Sequence, residues 1–180
     1  MYQRRVASST KIGYSPPCGD YMLKLVWDTS AIVNIKEANT QGYSPGHSLY
    51  KDLNDGCIRS PYQNIFPALA VFEVDATVSK KHRKDIRMLR DFYLMNENSM
   101  LYSIDSALIE KSHPFMSDSG FMLLTGADLV FACIAAVEDA WLVTMDSAFS
   151  KHVGKSIRVL DLNESRNEPN YRDTFAHLMN

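Results

Sequence analysis

The sequence predicts an α/β fold in which a central parallel sheet carries helices on both faces. Three observations predict it. Short apolar runs alternate with longer stretches of helical periodicity. Strands separated by helices imply right-handed crossovers and therefore parallel pairing. Acidic residues stand directly after two of the runs, where an open parallel sheet binds its ligands. At 180 residues one domain is the default, and a chain of this length buries roughly 70% of its unfolded surface without disulfide staples.

Taken in order, residues 1–20 hold Arg4, Arg5 and Lys11 but no apolar stretch before Ser15-Pro16-Pro17, which reads as an extension and not as a signal peptide. The domain is expected over 21–162. Its first strand is the apolar and aromatic run Tyr21–Trp27. Asp28-Thr29-Ser30 stops that strand and offers N-cap side chains for a helix from Ser30 to Ala38. Residues 39–64, rich in Gly, Pro, Ser and Asn, form a long connection with a helical turn or more at Ser48–Leu53. Pro67 suits the first position of a helix over Ala68–Ser79. A second helical stretch, Lys81–Met95, places Ile86, Leu89, Phe92 and Tyr93 at spacings of three and four. Leu101–Ile104 reads as a second strand and Ser106–Lys111 as a short helix. A strong helix over Thr125–Asp139 leads to a third strand, Trp141–Thr144, then a short helix, Ser147–Val153, and a fourth strand, Ser156–Leu160. The tail 163–180 is polar and weakly specified.

Composition narrows the function classes. Lys plus Arg is 19 against 21 for Asp plus Glu, so no global basic excess advertises nucleic acid, and any such binding must come from a local patch. Cys18, Cys57 and Cys133 are odd in number and widely spread, which argues against a disulfide scaffold or a zinc site and for reduced thiols in the cytoplasm. No apolar run is long enough for a membrane span. The turn after the first strand has no glycine for a dinucleotide, and there is no GxxxxGK[ST] phosphate loop.

Four carboxylates occupy special places. Asp28 follows the first strand and Asp146 lies just past Trp141–Thr144. Asp128 falls in the first turn of the helix opened by Thr125-Gly126. Glu73 is embedded in Leu69-Ala70-Val71-Phe72-Glu73-Val74, where a charge is costly unless paired or metal-bound. Each also has a purely structural explanation. Asp28 and Asp146 fit helix N-caps, Asp128 fits the third position of a capping box begun by Thr125, and Glu73 fits a hydrogen bond within its helix or an outlet to solvent.

The ordered set of motifs resembles the PIN-domain nucleases and, within them, the VapC-like toxins of type II toxin–antitoxin modules. The matching stretches are Leu25-Val26-Trp27-Asp28-Thr29-Ser30-Ala31-Ile32-Val33, Pro67-Ala68-Leu69-Ala70-Val71-Phe72-Glu73-Val74, Gly126-Ala127-Asp128-Leu129-Val130-Phe131-Ala132 and Leu142-Val143-Thr144-Met145-Asp146-Ser147-Ala148-Phe149. They extend over about Leu23 to Leu162. The resemblance implies a PIN-like three-layer fold, with Asp28, Glu73, Asp128 and Asp146 as catalytic, metal-binding acids and with Ser30 and Thr144 orienting them. It also implies RNA as substrate, an antitoxin protein as partner, and dimerisation through helices of the first half. One departure stands out: many members have a further acid where this chain has Ala148.

The chemistry expected of this set is phosphodiester hydrolysis with Mg²⁺ or Mn²⁺; the resemblance implies RNA as the substrate, while the carboxylates alone would serve DNA equally well. Clustered carboxylates repel one another, and a hard divalent cation that prefers oxygen ligands relieves the repulsion, activates a water and stabilises charge on phosphate. Asp28 and Asp128 are the expected principal ligands, Asp146 a direct or water-mediated one, and Glu73 completes the shell or orients the attacking water. Substrate contacts are expected at Lys80, Lys81, Arg83, Lys84 and Arg87, which with Arg90 set six basic residues against Asp85 alone; a solvated helix face explains the same run. A catalytically silent PIN-like module that binds RNA or protein, and a free-standing RNA-processing nuclease, are the competing readings.

Overall fold

The computed structural model describes residues 22–41, 44–82, 96–165 and 171–179. Among them are five strands, β1 (Leu23–Trp27), β2 (Tyr62–Pro67), β3 (Ser99–Tyr102), β4 (Trp141–Thr144) and β5 (Arg158–Asp161). They form one sheet in the order β3-β2-β1-β4-β5, and every neighbouring pair is parallel. The helices are α1 (Thr29–Gln41), α2 (Pro45–Asn54), α3 (Ala68–His82), α4 (Ser106–Ser112), α5 (Gly126–Val137), α6 (Ser147–Val153) and α7 (Tyr171–Thr174).

The chain builds β1, β2 and β3 outward in one direction, then returns past β1 to lay β4 and β5 on the other side. Right-handed crossovers in opposite directions put their helices on opposite faces. Accordingly α1 packs against α2 and α3, and α4 packs against α5. The core fills the space between the layers. Leu25, Val26 and Trp27 of β1, Ile65 and Phe66 of β2 and Leu142 and Val143 of β4 are all buried, as a strand covered on both faces requires. Trp27 stacks on Phe66 and meets Tyr50 of α2 edge-on, which ties the second helix to the sheet.

Three expectations from sequence are corrected. First, the sheet has a strand between the first and the one expected next. Residues 39–64 are not an open connection, because they contain all of α2 and the start of β2. Tyr62-Gln63-Asn64 is polar, yet Asn64 is fully buried and its Oδ1 accepts a 2.9 Å hydrogen bond from Trp27 Nε1. Second, Pro67 ends β2 and does not open the helix. It pairs with Tyr102 in register at the strand end, where a missing N–H costs the ladder least. Third, the last residues are not a weakly specified tail. Tyr171 and Phe175 are buried, Phe175 lies edge-on to Trp141, and Met179 bridges to Ile58. Tyr171 Oη and the Arg172 guanidinium both donate to the buried Asp52 of α2, at 2.8 and 3.0 Å.

The helix expected over Lys81–Met95 lies outside the described residues from 83 onward, and α3 runs through Lys81 to His82. Cys57 and Cys133 are free thiols, and Cys18 lies outside the described residues. No helix among the described residues is long and apolar enough to cross a membrane.

Candidate active site

The sheet order reverses between β1 and β4, so the crevice at their carboxyl ends is the switch point where such sheets bind ligands. Asp28 ends β1 and Thr144-Met145-Asp146 ends β4. Their backbones are already linked there, since the Asp28 N–H donates to Val143 O at 3.1 Å.

Asp28 is 4% exposed. Its Oδ1 accepts from the Ala31 N–H at 2.7 Å, which is the N-cap bond of α1, and from Ser30 Oγ at 2.8 Å. Its Oδ2 accepts from Thr144 Oγ1 at 2.6 Å and from Ser30 Oγ at 3.0 Å. The capping role is therefore realised, but a cap needs neither burial nor two hydroxyl donors. Burial pushes the Asp28 carboxyl up to about 6 despite the hydrogen bonds from Thr144, Ala31 and Ser30 that pull it down, and the charge on Asp128 adds to the rise.

The two hydroxyls do more than bind Asp28. Ser30 Oγ accepts from the Met145 N–H at 2.9 Å, and Thr144 Oγ1 accepts from the Asp146 N–H at 2.9 Å. Both loops of the crevice are thus locked to the same carboxylate. Asp146, exposed, caps α6 by accepting from the Ala148 N–H at 2.8 Å. Ala148 contributes that amide and no side-chain oxygen.

Asp128 comes from the first turn of α5. Gly126 starts that helix at φ 55, a backbone that a side chain would strain. The capping-box explanation is not realised, because Thr125 makes no side-chain cap bond. Among the described residues no hydrogen bond reaches the Asp128 carboxylate. Burial raises its pKa, and the charges of Asp146 and then Glu73 raise it further. Glu73, half-buried on α3, accepts a hydrogen bond on Oε2 from Thr29 Oγ1. Asp128 thus links the set: its charge raises the pKa of Asp28, and the charges of Asp146 and Glu73 raise that of Asp128.

The four acids singled out from sequence therefore share one electrostatic neighbourhood, drawn from β1, α3, α5 and the β4–α6 turn. No three His, Cys, Asp or Glu side chains among the described residues approach closely enough to hold one metal ion in this arrangement. Asp28, Asp146 and Glu73 each have a hydrogen-bond donor from the protein, and Asp128 has none among the described residues. The donor set is carboxylate and hydroxyl oxygen throughout, which fits a hard divalent cation and does not fit zinc.

The remaining sequence candidates divide. Lys80 and Lys81 are exposed on α3, about 10 Å of helix beyond Glu73. Arg83, Lys84, Arg87 and Arg90 lie outside the described residues. Two polar groups were missed. In the sequence Thr29 reads only as part of a capping run, and its sole signal is a hydroxyl beside an acid. Asp161, 6% exposed at the end of β5, pairs in register with Thr144 and accepts from the Asn163 N–H at 2.9 Å.

No protein-family model matches the sequence, and no curated protein matches it. Solved structures do match. A chain of the VapBC2 complex from Rickettsia felis, bound to a DNA fragment from its promoter, aligns at 16% identity with a TM-score of 0.53, over 77% of this chain and 98% of its own. A chain of VapBC-1 from nontypeable Haemophilus influenzae aligns at 11% identity and TM-score 0.56, over 78% and 99%. A chain of FitAB bound to a DNA fragment aligns at 16% identity and TM-score 0.54, over 76% and 94%. At these identities the likeness is one of fold. The fold is PIN-like: a five-stranded parallel sheet with helices around it, shared with the matched chains of VapBC2, VapBC-1 and FitAB.

Proposed function

We propose that this protein is a divalent-metal-dependent endoribonuclease of the toxin type, held in check by an antitoxin protein. The observation that carries the reading is the burial of Asp28 at the switch point of the sheet, where it feels the charge of Asp128 while two hydroxyls and a backbone amide fix its orientation. A scaffold that needed only a cap would leave this carboxylate in water. Holding it in a low-dielectric crevice beside a second acid costs stability at neutral pH, and a bound cation offsets that cost.

Mg²⁺ or Mn²⁺ would be held by Asp28 and Asp128, with Asp146 and Glu73 completing the set. The ion supplies a water of lowered pKa and charge stabilisation for an in-line displacement at phosphorus. The chain's own part is to fix the acids. Ser30 and Thr144 orient Asp28 and set the β4–α6 turn against it, while Gly126 brings Asp128 across from α5. Lys80 and Lys81 supply positive charge for the phosphate backbone on the same helix as Glu73. The toxin role is supported by the fold shared with chains of VapBC and FitAB complexes.

Cleavage of structured RNAs, tRNA included, with Mg²⁺, Mn²⁺ or EDTA tests the reading beside Asp28→Asn. Cutting that needs the metal and disappears in the variant supports it. Equal cutting by the variant removes this site from the mechanism. Metal binding without cutting of any RNA favours the silent binding module, for which Ala148 in place of a further acid is the observation in favour.

A further inference from the structure

Thr29 follows Asp28 in the chain, yet its side chain touches Glu73, 44 positions away. It is the first residue of α1, directly after Asp28, and its Oγ1 donates to Oε2 of Glu73 on α3. Among the described residues this is the only hydrogen bond to the Glu73 carboxylate. A threonine at the first turn of a helix has solvent and its own backbone as easy partners. Here the hydroxyl instead reaches across to the neighbouring helix, and α1 packs against α3 along that side.

The consequence for Glu73 is specific. A carboxylate on a helix face has freely turning side-chain torsions, and a single donor on one oxygen removes most of that freedom. With Oε2 committed to Thr29, Oε1 is the oxygen left without a hydrogen-bond donor among the described residues. Donors that hold ligating carboxylates commonly change metal affinity about 10–100-fold when removed.

We propose that Thr29 is the positioning residue for Glu73, fixing one carboxylate oxygen so that the other is presented to the divalent cation. The proposal rests on the metal-dependent reading of the site. It separates the three polar residues at the end of β1 into distinct tasks. Asp28 is the ligand, Ser30 holds that ligand and the β4–α6 turn, and Thr29 serves the acid on α3.

The test is Mn²⁺ binding by isothermal titration to the full chain without RNA, for wild type, Thr29→Val, Thr29→Ser and Glu73→Gln, with the thermal midpoint of each measured alongside. Valine keeps the shape and removes the donor, and serine keeps the donor. The expected result is a dissociation constant raised about tenfold in Thr29→Val, restored to within about threefold in Thr29→Ser, with midpoints within a few degrees of one another. Thr29→Ala replaces Thr29→Val in the comparison if valine alone disturbs folding. Wild-type affinity in the donor-less variant while Glu73→Gln binds weakly overturns the positioning role and leaves the metal site standing. Absence of Mn²⁺ binding by the wild type overturns both.

Discussion

Thr144 Oγ1 donates to Asp28 Oδ2 at 2.6 Å and accepts from the Asp146 N–H at 2.9 Å, so one buried hydroxyl joins two acids that stand 118 positions apart in the chain. The contact makes the ends of β1 and β4 a single unit at the point where the sheet order reverses. What lies around it is a set of carboxylates of which Asp28 and Asp146 cap helices while burial and like charge raise the pKa values of Asp28 and Asp128. The chain keeps the set at the expense of its own folding free energy, the pattern expected of a functional site.

That expense has a pH signature. The Asp28 carboxyl is raised in the folded state from 3.8 to about 6, so the folded protein takes up a proton more readily than the unfolded chain. The stability associated with this group is fully present below about pH 4 and is lost as pH rises through about 6. In EDTA, the unfolding free energy of the wild type is expected to fall by up to about 3 kcal/mol between pH 4 and pH 7 relative to Asp28→Asn. Denaturant titrations of both proteins across that range check it, and parallel curves would contradict it.

A divalent cation bound as proposed would compete with the same proton. Mn²⁺ affinity is expected to weaken as pH falls through about 6, and saturating Mn²⁺ should flatten the stability difference between pH 5 and pH 7. Isothermal titrations at several pH values provide the check.

Asp128 carries the repulsion of Asp146 and Glu73 without a hydrogen bond among the described residues to offset it. Asp128→Asn is expected to raise the melting temperature of the metal-free protein while abolishing metal-dependent cleavage. A variant that is both less stable and fully active would assign Asp128 to the helix start alone.

Ser30 joins Asp28 to the Met145 N–H. Ser30→Ala is expected to cost about 1–2 kcal/mol of stability and to weaken metal binding about 10–100-fold. Chemical unfolding and metal titration on the same preparation measure the two effects.

Away from the crevice, Asp52 receives Tyr171 Oη and Arg172, and it fastens the last described helix to α2. Asp52→Ala leaves a buried tyrosine hydroxyl without its partner and is expected to cost about 2–3 kcal/mol. Metal affinity should stay at the wild-type value.

The acids were legible in the sequence because their local surroundings are so uneven. Asp28 and Asp146 follow runs apolar enough to be strands, and Glu73 is a charge in an apolar helix. The order of the motifs then gave the PIN-like fold, which the strand order supports. β2 was not legible, because Tyr62-Gln63-Asn64 looks like a loop until Trp27 is known to lie beside Asn64. The C-terminal segment was missed for the same reason. Tyr171 and Phe175 are two apolar residues in a polar stretch, and their burial depends on Asp52 and Trp141 far earlier in the chain. Thr29 escaped notice because its partner lies on another helix.

The most direct measurement on the central claim is anomalous diffraction from crystals of the protein soaked in Mn²⁺. The account expects a Mn²⁺ peak in the crevice, ligated by Asp28 and Asp128 and lost in Asp28→Asn. A crevice with no anomalous density at saturating Mn²⁺, with Asp28 and Asp146 still on their capping amides, would leave those two as helix caps and contradict the metal-dependent nuclease.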